Sequence, residues 1–342
     1  MKAAVLYGKE HLEIQTVPIP QIGPRDILVR IRAALTCGTD VKVFRRGYHA
    51  RMIVPPALFG HELAGDVVEV GSAVRKFHVG QRVVAANSAP CLQCFYCLKG
   101  SSNLCEDLLF NNGAYAEYIA IPARIVERNT YEIPPHVSYQ DAALVEPLAC
   151  VLRGLEETRI AEGDTVAVIG LGPIGLMFVR LAALRGARVI ALGRRQTQLD
   201  RAAAMGAAEL VDTSTDADIP QLIRDLTGGR GVDAAIEAVG LPETWQLAVR
   251  MVRRGGTVNF FGGCASNSVV ALDTSLLHYS EITCKASFHH TPHHIREALA
   301  AISRGEITAR HLVNREEPLT NLLEVMRHLM SHNGHMKTAI IP

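Results

Sequence analysis

Apolar positions change their rhythm once along the chain. Over residues 1 to about 140 they fall in short β-type runs, 27–31, 65–70 and 82–85 among them, punctuated by Gly and Pro. Strands this short and frequent predict a β-rich, barrel-like unit. From about Ala142 the pattern becomes one of continuous apolar strands alternating with helices. Residues 165–169 form an unbroken apolar run of the type buried on both faces of a parallel sheet. A helix running to Arg185 is expected next, then strand 188–192, helix 196–205, strand 209–211 and helix 219–226. Strand 232–237, helix 244–252 and strand 256–261 complete the series. Such alternation predicts right-handed βαβ units and a doubly wound parallel sheet, an α/β fold. After about Ala286 the chain is expected to return to the first unit, with a helix near 295–303 and a terminal strand over 337–341.

Composition narrows the class. With 342 residues, 48% of them hydrophobic and 20% charged, the chain fits two ordinary globular domains. Lys and Arg number 35 against 34 Asp and Glu, with no block of like charge, so no nucleic-acid partner is expected. No apolar run reaches the roughly 18 residues that span a bilayer, so no membrane association is expected. The opening residues 1–6 do not have the form of a signal peptide, and a cytoplasmic location is expected.

Four of the eight cysteines, Cys91, Cys94, Cys97 and Cys105, cluster with the spacing C-x2-C-x2-C-x7-C. In a cytosolic chain such a cluster points to metal rather than disulfides. Four thiolates suit one closed, tetrahedral zinc site, and the spacing departs from the ferredoxin patterns that hold iron–sulfur clusters. Cys150, Cys264 and Cys284 stand alone among apolar residues and are expected to pack as small hydrophobes.

The run 165–169 leads into Gly170-Leu171-Gly172-Pro173-Ile174-Gly175. A G-x-G-x-x-G that closes a strand and opens a helix is the context for dinucleotide binding. The glycines permit a tight turn, and the helix N-terminus offers free N–H groups to a pyrophosphate. Pro173 suits the first helical turn, where its missing N–H costs nothing. After the second strand an NAD site wants a carboxylate for the ribose, but here the chain reads Gly193-Arg194-Arg195, with no acid before Asp200. Two guanidiniums at a helix start oppose its dipole, and their fork suits a 2′-phosphate. NADP is therefore favoured over NAD, with Gly193, Arg194, Arg195, Val239 and Gly240 grouped with the glycine loop as cofactor residues.

Cys37-Gly38-Thr39-Asp40, Gly60-His61-Glu62 and Val145-Glu146-Pro147 are each unremarkable alone. Joined to the cysteine cluster, to residues 60–65 and 79–83 and to the glycine loop, they make the chain resemble the zinc-containing medium-chain dehydrogenase/reductase family, in its sorbitol (polyol) and threonine dehydrogenase branch. The resemblance runs nearly end to end. It implies a GroES-like catalytic domain over 1–141, a Rossmann NADP-binding domain over 142–285, and a segment 286–342 returning to the first. It also implies a homo-oligomer, dimer or tetramer, and two zinc ions per chain. Cys37, His61 and Glu146 would hold the catalytic zinc, with Glu62 as an alternative ligand, and Cys91, Cys94, Cys97 and Cys105 the structural one. Asp40 would orient the histidine.

In such a site zinc acts as a Lewis acid on the substrate oxygen. Thr39, two residues beyond Cys37, is positioned in sequence to relay the alcohol proton, against a plainer role as a turn hydroxyl. Two departures from the resemblance stand out. Many relatives carry His where this chain has Lys42, which would contact the cofactor ribose or pass protons. Where sorbitol dehydrogenases read Phe-Arg-Tyr, residues 288–290 read Phe-His-His, making His289 and His290 candidate substrate contacts. A third metal site from His289, His290, His293 and His294 has only a common helical spacing behind it. The expected activity is NADP-linked oxidation of a secondary alcohol of a polyol or sugar derivative, or reduction of the matching ketone. The alternatives are an NAD-dependent threonine or amino-alcohol dehydrogenase and a non-catalytic NADPH-binding protein.

Overall fold

A computed structural model describes residues 1–49, 51–215, 218–331 and 336–342. The chain divides into two compact units, residues 1–149 with 290–342, and residues 150–289.

The first unit is built on a seven-stranded sheet in the order Thr130–Glu132, Arg82–Ala85, Glu62–Val70, Ile27–Leu35, Lys337–Ile341, Val313–Pro318, with Tyr118–Ile121 also pairing with Ile27–Leu35. Lys2–Gly8, His11–Thr16 and Ala57–Leu58 form a separate three-stranded sheet. Its core includes the fully buried Leu6, Phe44, Phe59 and Tyr115. The unit is not all β. Helices Gly38–Arg46, Ala123–Asn129 and Tyr139–Ala143 interrupt the strands. The first escapes pattern reading because its N-cap is Cys37, whose sulfur accepts from the Thr39 N–H. Ser, Thr, Asp and Asn are the caps a reader looks for.

The second unit is a six-stranded, wholly parallel sheet in the order Glu209–Asp212, Arg188–Gly193, Thr165–Ile169, Val232–Glu237, Val252–Phe260, Thr283–Ala286. Numbered along the chain, this is the doubly wound order 3-2-1-4-5-6, with its switch point between the first and fourth strands. Val166, Ala167, Val168 and the whole of 189–192 are buried, as continuous apolar strands require.

Element limits differ modestly from the pattern. The last βα unit has helix Pro242–Met251 and strand Val252–Phe260, and the C-terminal helix begins at Pro292. Pro at a first helical position costs no hydrogen bond, so both helices extend back to theirs. The isolated cysteines are a correction. Cys150 and Cys264 are half-buried and Cys284 is exposed, on the outer strand of the parallel sheet. Apolar sequence neighbours do not bury a residue that lies at a sheet edge. Among the described residues no helix is long and apolar enough to cross a membrane.

Candidate functional site

Three chain segments meet at one end of the large sheet because of its register. Leu35, the last residue of the central strand Ile27–Leu35, pairs with Glu62 on one side and Ala339 on the other. Two residues beyond Leu35 comes Cys37, next to Glu62 comes His61, and Lys337 opens the third strand. A Cys37 sulfur, a His61 ring nitrogen and a Glu62 oxygen consequently lie within 4.8 Å of one another. This thiol, imidazole and carboxylate form a donor set suited to zinc.

Asp40 organises the cluster. Its Oδ1 lies 2.9 Å from His61 Nδ1, and its Oδ2 accepts from the Tyr115 hydroxyl at 2.6 Å and the Cys37 N–H at 3.1 Å. With Nδ1 occupied by the carboxylate, Nε2 is the nitrogen left for a metal. Burial pulls the His61 pKa down, but the Asp40 carboxylate and the Cys37 sulfur outweigh it and hold it well above the ordinary histidine value. Gly60 sets the approach. It has φ +89°, and a Cβ there would stand 2.5 Å from the Tyr115 ring.

Two carboxylates compete for the third ligand position, and the structure treats them differently. Both Glu62 oxygens lie 2.6 Å from Lys337 Nζ, and Glu62 is fully buried. Burial raises its carboxyl to about 7 against the pull of that ammonium. Glu146, in the first turn of Val145–Thr158, has its Oε1 3.8 Å from His290 Nε2, and burial raises its pKa as well. The fields of His61 and Lys337 reach both carboxylates.

Thr39 is half-buried in the first turn of Gly38–Arg46, and Lys42 lies exposed on the same helix. His290 is 3% exposed in the first unit, whereas His289 belongs to the second unit and has φ +65°. His294 bonds to the Thr291 hydroxyl and His293 to Arg296. Among the described residues no cluster of three metal-type side chains includes His293 or His294, so they do not complete a third site.

The second cysteine group is assembled locally. The sulfurs of Cys91, Cys94, Cys97 and Cys105 lie within 4.8 Å of one another, and all four are free thiols. Main-chain N–H groups point at them: Cys91 N donates to Cys105 at 3.1 Å and Cys94 N to Cys91 at 3.3 Å. Donors from Cys97 and Glu106 bring the Cys94 thiol down to about 6, which makes it the readiest thiolate.

In the second unit Gly172 caps helix Pro173–Leu184, with Ile174 in its first turn. A Cβ on Gly175 would stand 1.7 Å from the Gly170 carbonyl oxygen, so this turn closes only with glycine. A Cβ on Gly172 would meet nothing within 4 Å, leaving room at the helix N-terminus for a phosphate. Arg194 is exposed and Arg195 half-buried at the start of helix Gln196–Ala204, just beyond Gly193 at its strand end. Burial and the neighbouring Arg194 charge both lower the Arg195 pKa, and among the described residues no carboxylate pairs with Arg194.

Pattern reading missed three residues here. Tyr115 and Lys337 lie far in sequence from Asp40 and Glu62 and carry no local signal. Glu237 did carry one, an acid ending an apolar strand. It is fully buried, and its Oε1 accepts from the Val239 N–H, the Gly240 N–H and the Thr244 hydroxyl at 2.8, 2.8 and 2.7 Å. Glu237 thus holds the turn at the end of the fourth strand, across the switch point from Gly170.

Known proteins share both halves. A family profile described as an alcohol dehydrogenase GroES-like domain matches residues 23–134, and one described as zinc-binding dehydrogenase matches residues 173–304. A sorbitol dehydrogenase of Bacillus subtilis is 31% identical, with 100% of this chain and 97% of that protein covered. An L-threonine 3-dehydrogenase of Bacillus licheniformis is 34% identical over 74% of this chain and 73% of its own. A zinc-binding dehydrogenase of Sinorhizobium meliloti 1021, solved with NADP bound, superposes with a TM-score of 0.91 at 32% identity, covering 100% of this chain and 99% of that one.

Proposed function

The chain belongs to the zinc-containing medium-chain dehydrogenase/reductase family, and from that premise we propose that it transfers a hydride between a secondary alcohol and NADP. The substrate class is a polyol, a sugar derivative or the matching ketone. One observation carries this reading: Cys37 and His61 meet beside two buried carboxylates, with His61 already oriented by Asp40.

Cys37, His61 and Glu146 hold the catalytic zinc in this reading. Glu62 is the alternative ligand, and its pairing with Lys337 favours Glu146 for the resident role. Zinc held there would polarise the substrate oxygen and lower the pKa of its hydroxyl, and NADP held by the second unit would supply the hydride acceptor. Asp40 keeps His61 Nδ1 protonated and Nε2 available. Thr39 Oγ1 accepts the alcohol proton while passing its own to solvent, and Lys42, exposed on the same helix, is the candidate contact to the cofactor ribose. His289 and His290 are the candidate substrate contacts. Cys91, Cys94, Cys97 and Cys105 hold a structural zinc that pins their loop.

Gly172 and the helix behind it receive the pyrophosphate, with Pro173, Ile174 and Gly175 shaping that end. Arg194 and Arg195 take the 2′-phosphate, and the NADP-bound relative supports this choice. Val239 and Gly240, held by Glu237, border the same switch point. Strand Thr283–Ala286 ends the parallel sheet with its outer main-chain edge unpaired among the described residues, and in this reading a second copy pairs there to give the dimer or tetramer, with Lys285 of the strand held by Glu157. Eight free cysteines, four of them grouped as thiolate ligands, suit a reducing compartment, and a cytoplasmic location belongs to the same reading.

The test combines metal analysis with a cofactor-resolved alcohol screen. Two zinc ions per chain and NADP-dependent polyol oxidation abolished by Cys37→Ser are expected. Full turnover by that variant would sink the zinc reading. Oxidation of L-threonine with NAD alone would favour the amino-alcohol alternative. Tight NADPH binding with no turnover of any alcohol would leave a binding protein.

A further inference from the structure

Residues 287–289 follow the outer strand Thr283–Ala286 at the carboxyl edge of the parallel sheet, the edge at which doubly wound folds take their ligands. They include His289, a candidate substrate contact, with φ +65°. That is the left-handed region, which strains a residue with a Cβ and persists where neighbouring contacts impose it. Ser287 does not impose it through its side chain. Its hydroxyl is buried and makes no hydrogen bond among the described residues.

Arg153, on helix Val145–Thr158, reaches this loop directly. Its Nη1 donates to the Phe288 carbonyl at 3.1 Å. That carbonyl shares a rigid peptide plane with the His289 nitrogen, so pinning it sets the His289 φ. Arg153 Nη2 donates to Glu157 Oε1 at 2.9 Å, one turn further on, and the other Glu157 oxygen pairs with Lys285 of the outer strand. One guanidinium thus joins helix, strand and loop, all within residues 150–289. Its side chain is only 12% exposed, and burial works against its charge. Bonds from both arms of the fork offset that cost. One turn earlier on the helix, the Cys150 sulfur lies within 4.8 Å of a His289 ring nitrogen. Positions 150 and 153 share a helix face, so main chain and ring of His289 are both referred to it.

We infer that Arg153 is a positioning residue: by holding the Phe288 peptide it fixes the angle at which the His289 imidazole meets the substrate, and so sets substrate affinity rather than the rate of the chemical step. The inference rests on the dehydrogenase reading and adds to it a residue that acts through another. The role needs arginine. Its planar fork reaches two acceptors in fixed directions, whereas a lysine offers one point charge on a flexible stem.

Loop order and turnover are read separately. R153M keeps the stem and removes the fork, while Glu157 retains Lys285. Amide hydrogen exchange of the zinc-loaded protein should quicken about tenfold over 287–290 in R153M and stay unchanged over 165–185. Oxidation of sorbitol, xylitol and 2,3-butanediol is assayed with NADP and with NAD. For the alcohol the parent turns over, R153M should raise KM about tenfold with kcat within about twofold, the mark of binding lost equally in ground and transition states. R153K should show both effects to a smaller degree, and it serves as the test where R153M does not fold. In an H289A background R153M should change KM no further, because the residue it positions is gone. Unchanged exchange over 287–290 overturns the inference. So does a KM effect that persists in full in H289A, or a loss that falls on NADPH affinity instead. Oxidation of none of the alcohols by the parent overturns the dehydrogenase reading, and faster exchange in R153M then leaves the clamp on the loop standing.

Discussion

Lys337 Nζ lies 2.6 Å from both carboxylate oxygens of Glu62, joining residues 275 positions apart in a pair almost wholly removed from water. The ammonium also donates to the Thr36 carbonyl at 3.0 Å, so the terminal strand is fastened to the backbone next to Cys37. Breaking a buried pair leaves one charge uncompensated. Lys337→Met should cost about 3–5 kcal/mol of stability and weaken zinc retention, whereas Glu62→Gln/Lys337→Met together should recover much of that loss. Chemical denaturation of the three proteins checks this. A single-variant loss below about 1 kcal/mol would mean that water reaches the pair.

Asp40 holds His61, Tyr115 and the Cys37 N–H at once. Asp40→Asn keeps the shape and removes the charge. Zinc affinity at the catalytic site should fall by roughly 10–100-fold with the fold unchanged, measured by competition with a chelator. Tyr115→Phe keeps the ring against Gly60 and should fall between the two. Unchanged metal affinity in Asp40→Asn would remove Asp40 from its proposed role.

Arg194 and Arg195 should show themselves as a ratio. Replacing both by Ala should weaken NADPH by about 10–100-fold, the value of one or two charge-assisted hydrogen bonds, and leave NADH nearly unaffected. Fluorescence titration with each cofactor reads it directly. A parallel loss for both cofactors would place the arginines elsewhere than on the 2′-phosphate.

Glu237 offers a pH test away from any metal. Burial raises its carboxyl above the ordinary value even though three donors face Oε1. The fold therefore prefers the neutral form. The stability this preference contributes is complete below about pH 4.5, the unfolded value, and is lost as pH rises through the raised folded value. Glu237→Gln keeps the acceptor and cannot ionise, so its stability relative to the parent should improve across that rise. Glu237→Ala should cost about 2–4 kcal/mol at any pH, because the Val239 and Gly240 N–H groups lose their acceptor. A flat difference between parent and Glu237→Gln from pH 4 to 8 would rule out the raised carboxyl.

The cysteine lobe should behave as an independent metal site. Cys94→Ser should reduce the zinc content from two ions to one and lower thermal stability. It should spare the Cys37–His61 site, since the lobe's ligands come from one short segment. Loss of both ions would show that the lobe supports the catalytic cluster.

What the sequence determined by itself is what short-range chemistry encodes. The spacing of Cys91 to Cys105 brings four sulfurs together with no help from distant strands. The alternation of apolar strands and helices over 165–261 specifies a parallel sheet, since each strand must be covered on both faces. Gly170 and Gly175 announce a turn that only glycine can close. Tertiary structure decided what pairs across the chain. The register of Leu35 with Glu62 and Ala339 brings Lys337 to Glu62 and leaves Glu146 as the second carboxylate near His61. It also sets Tyr115 against Asp40. Periodicity reports which face of an element is buried, but it carries no record of which distant element buries it. That partner is selected by strand register and core packing, and only the folded chain expresses them.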